Sequence, residues 1–193
     1  MSDTEPTGAQ PARVADPGII VVMGVSGCGK STVARQLAAD LQAHFKDGDE
    51  LHPAGNIEKM AAGVPLSDAD RQPWLAEVAH YARIHAREYG LCVIACSALK
   101  QRYRQILNTA GSVVYVYLHG SRDLIASRMH QRKGHFMPEA LLESQFAALE
   151  DPRSEDNVVT VDIDDDIPTI SAHAVETLRA QGFLPQPSEQ CFR

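Results

Sequence analysis

A three-layer α/β/α fold around a five-stranded parallel sheet is the class this 193-residue sequence predicts, and three observations carry the prediction. Apolar runs at residues 19–23, 44–47, 91–96, 113–118 and 158–161 alternate with helix-patterned stretches, the order that builds parallel sheets covered on both faces. The run Leu91-Cys92-Val93-Ile94-Ala95-Cys96 is apolar at every position, as a central strand buried on both sides requires. A turn of small residues joins the first apolar run to an amphipathic helix, so the chain opens with a strand, a tight loop and a helix in direct succession.

Residues 1–17 have no hydrophobic period and are rich in Pro, Gly, Ala, Ser and Thr, so a flexible leader is expected there. The domain is expected over 18–183, with a tail at 184–193. Length and a 44% apolar share suit one domain with a sizeable core. A net charge of -7 without clustered Lys and Arg argues against nucleic acid or an anionic membrane as partner, and favours a small polar substrate. No apolar stretch reaches the about 20 residues of a membrane span, and the N-terminus lacks the apolar core of a secretory signal, so the cytoplasm is the expected location. The four cysteines have no zinc spacing; Cys92 and Cys96 read as buried thiols, Cys191 as exposed, and Cys28 as a source of thiol sensitivity.

After the first strand the chain reads Gly24-Val25-Ser26-Gly27-Cys28-Gly29-Lys30-Ser31, the pattern of a phosphate-binding loop. Small residues let successive backbone N–H groups point at one centre, and the helix at 30–41, with Val33, Leu37 and Leu41 on one face, adds its N-terminal donors. Lys30 is placed for the outer phosphates, Ser31 for magnesium and Thr32 for a further hydrogen bond, so ATP and Mg2+ are the expected cofactors.

The second strand ends in Asp47-Gly48-Asp49, and the long segment 49–90 follows with a short helix at 57–61 and a long one at 70–88. Trp74, Val78, Ala82 and Ala86 recur every four residues on the long helix as a core face. Asp47, Asp49, His52, Asn56, Lys59 and Arg71 gather at the open end of the sheet, where such folds bind ligands, and are read as a substrate pocket. One aspartate is suited to a hydrated magnesium and the other to a substrate hydroxyl as base or orienter; the competing reading is a plain Asp-Gly-Asp turn.

Ser121 suits the cap of a helix at 122–131, leading to a flap, Arg132-Lys133-Gly134-His135 and on to 137. Arg128 and Arg132 share one helix face, a spacing that lets both reach a nucleotide, with Arg132 placed to neutralise transferring charge; two solvated arginines are the alternative. His135 suits a hydrogen bond that closes the flap. Pro138 suits the first turn of a further helix carrying Leu141, Leu142, Gln145, Phe146 and Leu149 on one face. The last strand runs into Asp162-Ile163-Asp164-Asp165-Asp166, read as a solvated turn and helix cap.

Several ordered strings resemble gluconokinases: Met23 to Ser31, Asp-Gly-Asp-Glu-Leu-His-Pro at 47–53, Asn-Ile-Glu-Lys-Met at 56–60 and Pro-Leu-Ser-Asp-Ala-Asp-Arg-Gln-Pro-Trp-Leu at 65–75. Cys-Ser-Ala-Leu-Lys at 96–100, Tyr-Arg at 103–104, Arg-Lys-Gly-His-Phe at 132–136 and Ser-Gln-Phe at 144–146 complete the set. The resemblance implies magnesium-dependent transfer from ATP to the 6-hydroxyl of D-gluconate, a homodimer, and a shikimate-kinase-like P-loop NTPase fold with sheet order 2-3-1-4-5. It implies that Asp49 lies beside the sugar acid, that Lys59, Arg71 or both hold its carboxylate and hydroxyls, and that Arg132 lies in the lid with Arg128 near the nucleotide. His52, Ser97 and His135 fall in the matching strings and are expected on the substrate side. The third strand ends Ala95-Cys96-Ser97, without the aspartate many phosphate-loop enzymes place there, so Ser97 and the Asp-Gly-Asp pair must compensate; this departure matches gluconokinases, and the resemblance implies Asp47 as the metal-linked carboxylate.

A shikimate kinase would carry a Gly-rich turn where Ser97-Ala98-Leu99-Lys100 stands, and an adenylate-type kinase would need a longer lid than 132–137 offers. A nucleotide-dependent switch would hydrolyse slowly with no response to sugar acids.

Overall fold

The computed structural model describes residues 18–131 and 139–186. Five parallel strands form one sheet: β1 (Gly18–Met23), β2 (His44–Asp47), β3 (Leu91–Ala95), β4 (Val113–His119) and β5 (Val158–Asp162). Their order is β2-β3-β1-β4-β5, the 2-3-1-4-5 arrangement expected, with β1 in the centre. Ile19 of β1 lies opposite Cys92 of β3 on one side and Val113 of β4 on the other.

Successive side chains of a strand point to opposite faces, and here both faces are covered. Ile19, Val21 and Met23 pack with Trp74, Leu75, Val78, Ala82 and Ala86 of α3 (Asp68–Tyr89) and with Tyr103 and Leu107 of α4 (Gln101–Leu107). Ile20 and Val22 pack with Val33 and Leu37 of α1 (Lys30–Asp40) and with Ile170, Ala174 and Leu178 of α7 (Ile167–Ala180). This two-sided cover is why β1 and β3 read as continuous apolar runs rather than alternating ones. Each fully buried Leu or Val contributes roughly 1.5–3 kcal/mol relative to an exposed one.

The remaining helices are α2 (Ala54–Ala61), α5 (Arg122–Gln131) and α6 (Glu139–Ala148). Helix α3 starts two residues before the expected Asp70, because Ser67 is its true cap: the Ser67 side chain accepts from Asp70 N–H and the Asp70 carboxylate accepts from the Ser67 backbone in return. Asp166 accepts from the Thr169 N–H at 2.9 Å and caps α7, while Asp162 accepts from Asp164 N–H at 2.8 Å, so the acidic run is a turn and a cap. Ser171 on α7 donates to Asp40 at the end of α1 at 2.7 Å, fixing these two helices on the same face. The expected leader 1–17, the flap 132–137 with Arg132 and His135, and Cys191 lie outside the described residues.

Candidate active site

The loop after β1 takes a shape only glycine accommodates readily. Gly24, Gly27 and Gly29 have φ of 142°, 83° and 98°, in the region that L side chains rarely adopt. A Cβ on Gly24 would lie 2.9 Å from Cys28 Sγ and 3.0 Å from the Leu118 carbonyl oxygen, so the turn is also sterically closed to larger residues. Gly29 caps α1 without a side-chain acceptor, and the first turn of α1 carries no acidic residue. The N-terminal N–H groups of the helix are therefore not matched by an anionic side chain of its own first turn, which suits an external anion.

Lys30 folds back over the loop and donates to the Val25 carbonyl oxygen at 3.0 Å, which holds its ammonium against the loop's own backbone. Ser31 and Thr32 follow in the first turn of α1. Cys28 is fully buried and burial raises its thiol pKa, which disfavours the reactive thiolate that thiol sensitivity of the loop requires. Cys92 and Cys96 are buried free thiols as expected, with burial pushing both up to about 12.

The Asp-Gly-Asp string divides its labour. Asp47 Oδ1 accepts from the Asp49 N–H at 3.1 Å and caps a 3-10 turn over Gly48–Leu51, so one carboxylate oxygen of Asp47 is spent on the turn. Asp49 makes no such bond. Its side chain is 76% exposed, open to water from the cleft mouth, while the protein around its other sides together with the Asp47 charge raises its pKa. Lys30, His52 and Arg71 act in the opposite direction on the same carboxylate, which places the loop lysine and the α3 arginine within electrostatic reach of it.

Three buried contacts set where Asp49 stands. The Trp74 indole Nε1 donates to the Gly48 carbonyl oxygen at 2.8 Å. The same indole stacks on the His52 ring at 4.0 Å between centroids. Asn56 Nδ2 donates to His52 Nδ1 at 3.2 Å, which makes Nδ1 the acceptor and leaves the ring proton on Nε2, 4.0 Å from Asp49 Oδ1. Burial keeps His52 below its ordinary pKa, hence neutral at pH 7. Trp74 is thus core, as its helical period predicts, and also a support for the Asp47–Asp49 turn.

Gly48 makes this geometry possible, because a Cβ there would lie 2.7 Å from the Ala95 carbonyl oxygen, a backbone atom of the neighbouring strand. Gly48→Ala is expected to lower kcat more than tenfold and to cost about 1–3 kcal/mol of stability, read from steady-state kinetics and denaturant titration. Unchanged kinetics would show that Asp49 does not depend on this turn.

The other pocket candidates are placed as follows. Lys59 is ion-paired with Asp70 at 2.6 Å, an interaction that with Ser67 holds the Asp70 carboxyl at about 2. Arg71 makes no ion pair among the described residues. The Ser97 carbonyl oxygen accepts from the Gly24 N–H at 3.3 Å and so joins the end of β3 to the phosphate loop. Arg128 donates to the carbonyl oxygens of Ile163 at 2.5 Å and Asp165 at 3.2 Å, tying α5 to the turn after β5.

Two residues that fasten the elements around the site were not singled out from sequence. Asp68, at the start of α3, accepts from Lys100 at 2.9 Å and also from Arg102 and Tyr103, fastening α3 to α4. Arg104, 1% exposed, donates to the carbonyl oxygens of Ala98 at 2.8 Å and Leu99 at 3.2 Å and to the Glu155 carboxylate at 2.6 Å. Both fall inside strings quoted above, but a polar residue's place in the sequence gives no sign of its distant partners.

A central strand that feeds a glycine loop into a helix, with an acidic turn beyond the next strand, defines a small-molecule kinase of the phosphate-loop class. The sequence model of the family described as shikimate kinase matches residues 26–179. Within that class the chain is 46% identical over 164 residues to the thermosensitive gluconokinase of Escherichia coli K12, covering 83% of this chain and 87% of that one. It is 47% identical over 146 residues to a gluconokinase of Gluconobacter oxydans 621H, covering 75% and 82%. A solved gluconokinase from Sinorhizobium meliloti 1021 matches with a TM-score of 0.78 at 45% identity over 86% of this chain and 93% of that one. The chain belongs to the gluconokinase family.

Proposed function

We propose that this protein transfers the terminal phosphoryl group of ATP to the 6-hydroxyl of D-gluconate, giving ADP and 6-phospho-D-gluconate, the entry compound of the pentose phosphate or Entner–Doudoroff route. The carrying observation is Asp49: a carboxylate that caps no turn, lies at the open end of the sheet, and feels the charges of Lys30 and Arg71 together. In this reading Asp49 accepts the proton of the attacking hydroxyl, and its raised pKa makes it a better base than an ordinary aspartate. Phosphoryl transfer depends chiefly on positioning and on neutralising charge. The amides of the loop, Lys30 and the N-terminus of α1 hold the polyphosphate, and Thr32 and Arg128 complete the nucleotide side.

Of the two candidate cations, Lys59 is engaged by Asp70, so Arg71 is assigned to face the sugar-acid carboxylate, with His52 and Ser97 beside the hydroxyls. Arg132 and His135, outside the described residues, are assigned to transferring charge and to substrate. Ser31 and Asp47 offer hydroxyl and carboxylate oxygens, the hard donors that magnesium takes, and a nucleotide-bound magnesium needs few protein ligands. When bound, magnesium neutralises phosphate charge. A homodimer in the cytoplasm completes the reading; no helix among the described residues is long and apolar enough to cross a membrane.

Phosphorus NMR of the reaction mixture tests the regiochemistry. Transfer to the terminal 6-hydroxyl gives a phosphorus signal coupled to two methylene protons, with ADP formed in equal amount. Coupling to a single proton would place the phosphate on a secondary hydroxyl and overturn the 6-position.

A further inference from the structure

Gln145 takes no part in the chemistry above, yet it reaches the phosphate loop. It lies on α6, and its carboxamide oxygen accepts the Ser26 backbone N–H at 2.6 Å across 119 residues of sequence. Amide N–H groups in such loops ordinarily serve anions; this one is given to a neutral side chain. The donor is a backbone N–H, so the acceptor must be Oε1 and the carboxamide orientation is fixed by chemistry.

The support around this bond is built from two helices. Arg122 of α5 pairs with Glu143 of α6 at 2.7 Å, and its guanidinium lies 4.9 Å from the centre of the Phe146 ring, next to Gln145. Helix α5 meets the following loop residue by packing: a Cβ on Gly27 would lie 2.5 Å from Met129 Cγ and 3.2 Å from Ile125 Cγ2. Consecutive loop residues, Ser26 and Gly27, are therefore held from outside, Ser26 by the hydrogen bond it donates to α6 and Gly27 by side chains of α5.

We propose that Gln145 is a positioning residue for phosphoryl transfer: it pins the limb of the loop preceding Lys30, so that the remaining amides converge on the polyphosphate, and its neutrality keeps negative charge away from the terminal phosphate. The proposal rests on the triphosphate reading above. A strong hydrogen bond to Gln145 removes the Ser26 N–H from the set of phosphate ligands, because one N–H serves one acceptor well. A carboxylate in the same place would keep that bond and add repulsion toward a triphosphate.

Two substitutions separate these effects. Gln145→Met keeps the side-chain volume and removes the acceptor; Gln145→Glu keeps the acceptor and adds charge. Each is compared with wild type by thermal melting, by steady-state kinetics, and by calorimetric titration with ADP and with a non-hydrolysable imido analogue of ATP. Gln145→Met is expected to lower kcat about tenfold or more while KM for gluconate stays within about twofold. Gln145→Glu is expected to melt as wild type and to weaken the ATP analogue about tenfold more than it weakens ADP. Equal weakening of both nucleotides by Gln145→Glu, or wild-type kcat in Gln145→Met, would overturn the proposal. Failure of the wild-type protein to bind the analogue would overturn the triphosphate reading itself, and is seen before any variant is compared.

Discussion

Asp49→Asn is expected to lower kcat by about 10²- to 10⁴-fold while nucleotide affinity stays within about threefold. Asparagine preserves the shape of the side chain and removes the proton acceptor, and the bonds that shape the turn do not involve the Asp49 carboxylate: Asp47 accepts from the Asp49 N–H, and Trp74 donates to the Gly48 carbonyl. The pH profile supplies a second readout. The proposed base works deprotonated, and the protein that encloses its inner side, together with the Asp47 charge, raises its pKa above the ordinary aspartate value. Wild-type kcat/KM should therefore fall as pH drops through that raised pKa, with the loss beginning at a higher pH than an ordinary aspartate would give. In Asp49→Asn the low residual rate should lack this limb. Near-normal turnover in the variant, or an acid limb unchanged by it, would remove Asp49 from the proton transfer.

Arg104→Met should cost about 3–5 kcal/mol of folding stability, roughly 6–20 °C in Tm. The guanidinium is buried and serves two carbonyls of the β3–α4 connection, the Glu150 carbonyl at 3.3 Å and the Glu155 carboxylate. Removing it takes a donor from each; the Leu99 carbonyl keeps the Glu150 N–H at 2.9 Å, so the half-buried Glu155 carboxylate and the Ala98 carbonyl are the costly part. Ala98 adds to the effect, because it sits at φ 46°, a left-handed conformation that Arg104 holds through its carbonyl. Denaturant titration measures the loss, and a change under about 1 kcal/mol would show that water replaces the guanidinium without penalty. Because Ser97 adjoins this connection and bonds the phosphate loop, the loop should loosen in parallel.

The strands and the phosphate loop were legible because their information is local. Residues 91–96 are apolar throughout, and glycines stand where φ must be positive. The strand order followed from resemblance, since periodicity alone does not rank parallel strands. Helix α4 was not singled out, having seven residues, Gln-Arg-Tyr-Arg-Gln-Ile-Leu, with arginine at a buried position where a pattern reader expects solvent. The supports of the site were illegible for one physical reason: their partners are remote. Trp74 bonds Gly48 over 26 residues, Asp68 bonds Lys100 over 32, and Gln145 bonds Ser26 over 119.

The cleft beyond β2 is proposed to select a sugar acid as phosphoryl acceptor. The most direct test is a coupled ADP-release assay with magnesium-ATP and, separately, D-gluconate, related sugar acids, shikimate, AMP and no acceptor. Rapid release is expected with D-gluconate, weaker release with its stereoisomers, and only the slow acceptor-free background with shikimate and AMP. Release driven by shikimate or AMP but not by gluconate would contradict this selectivity and would reassign the pocket built around Asp49 and Arg71.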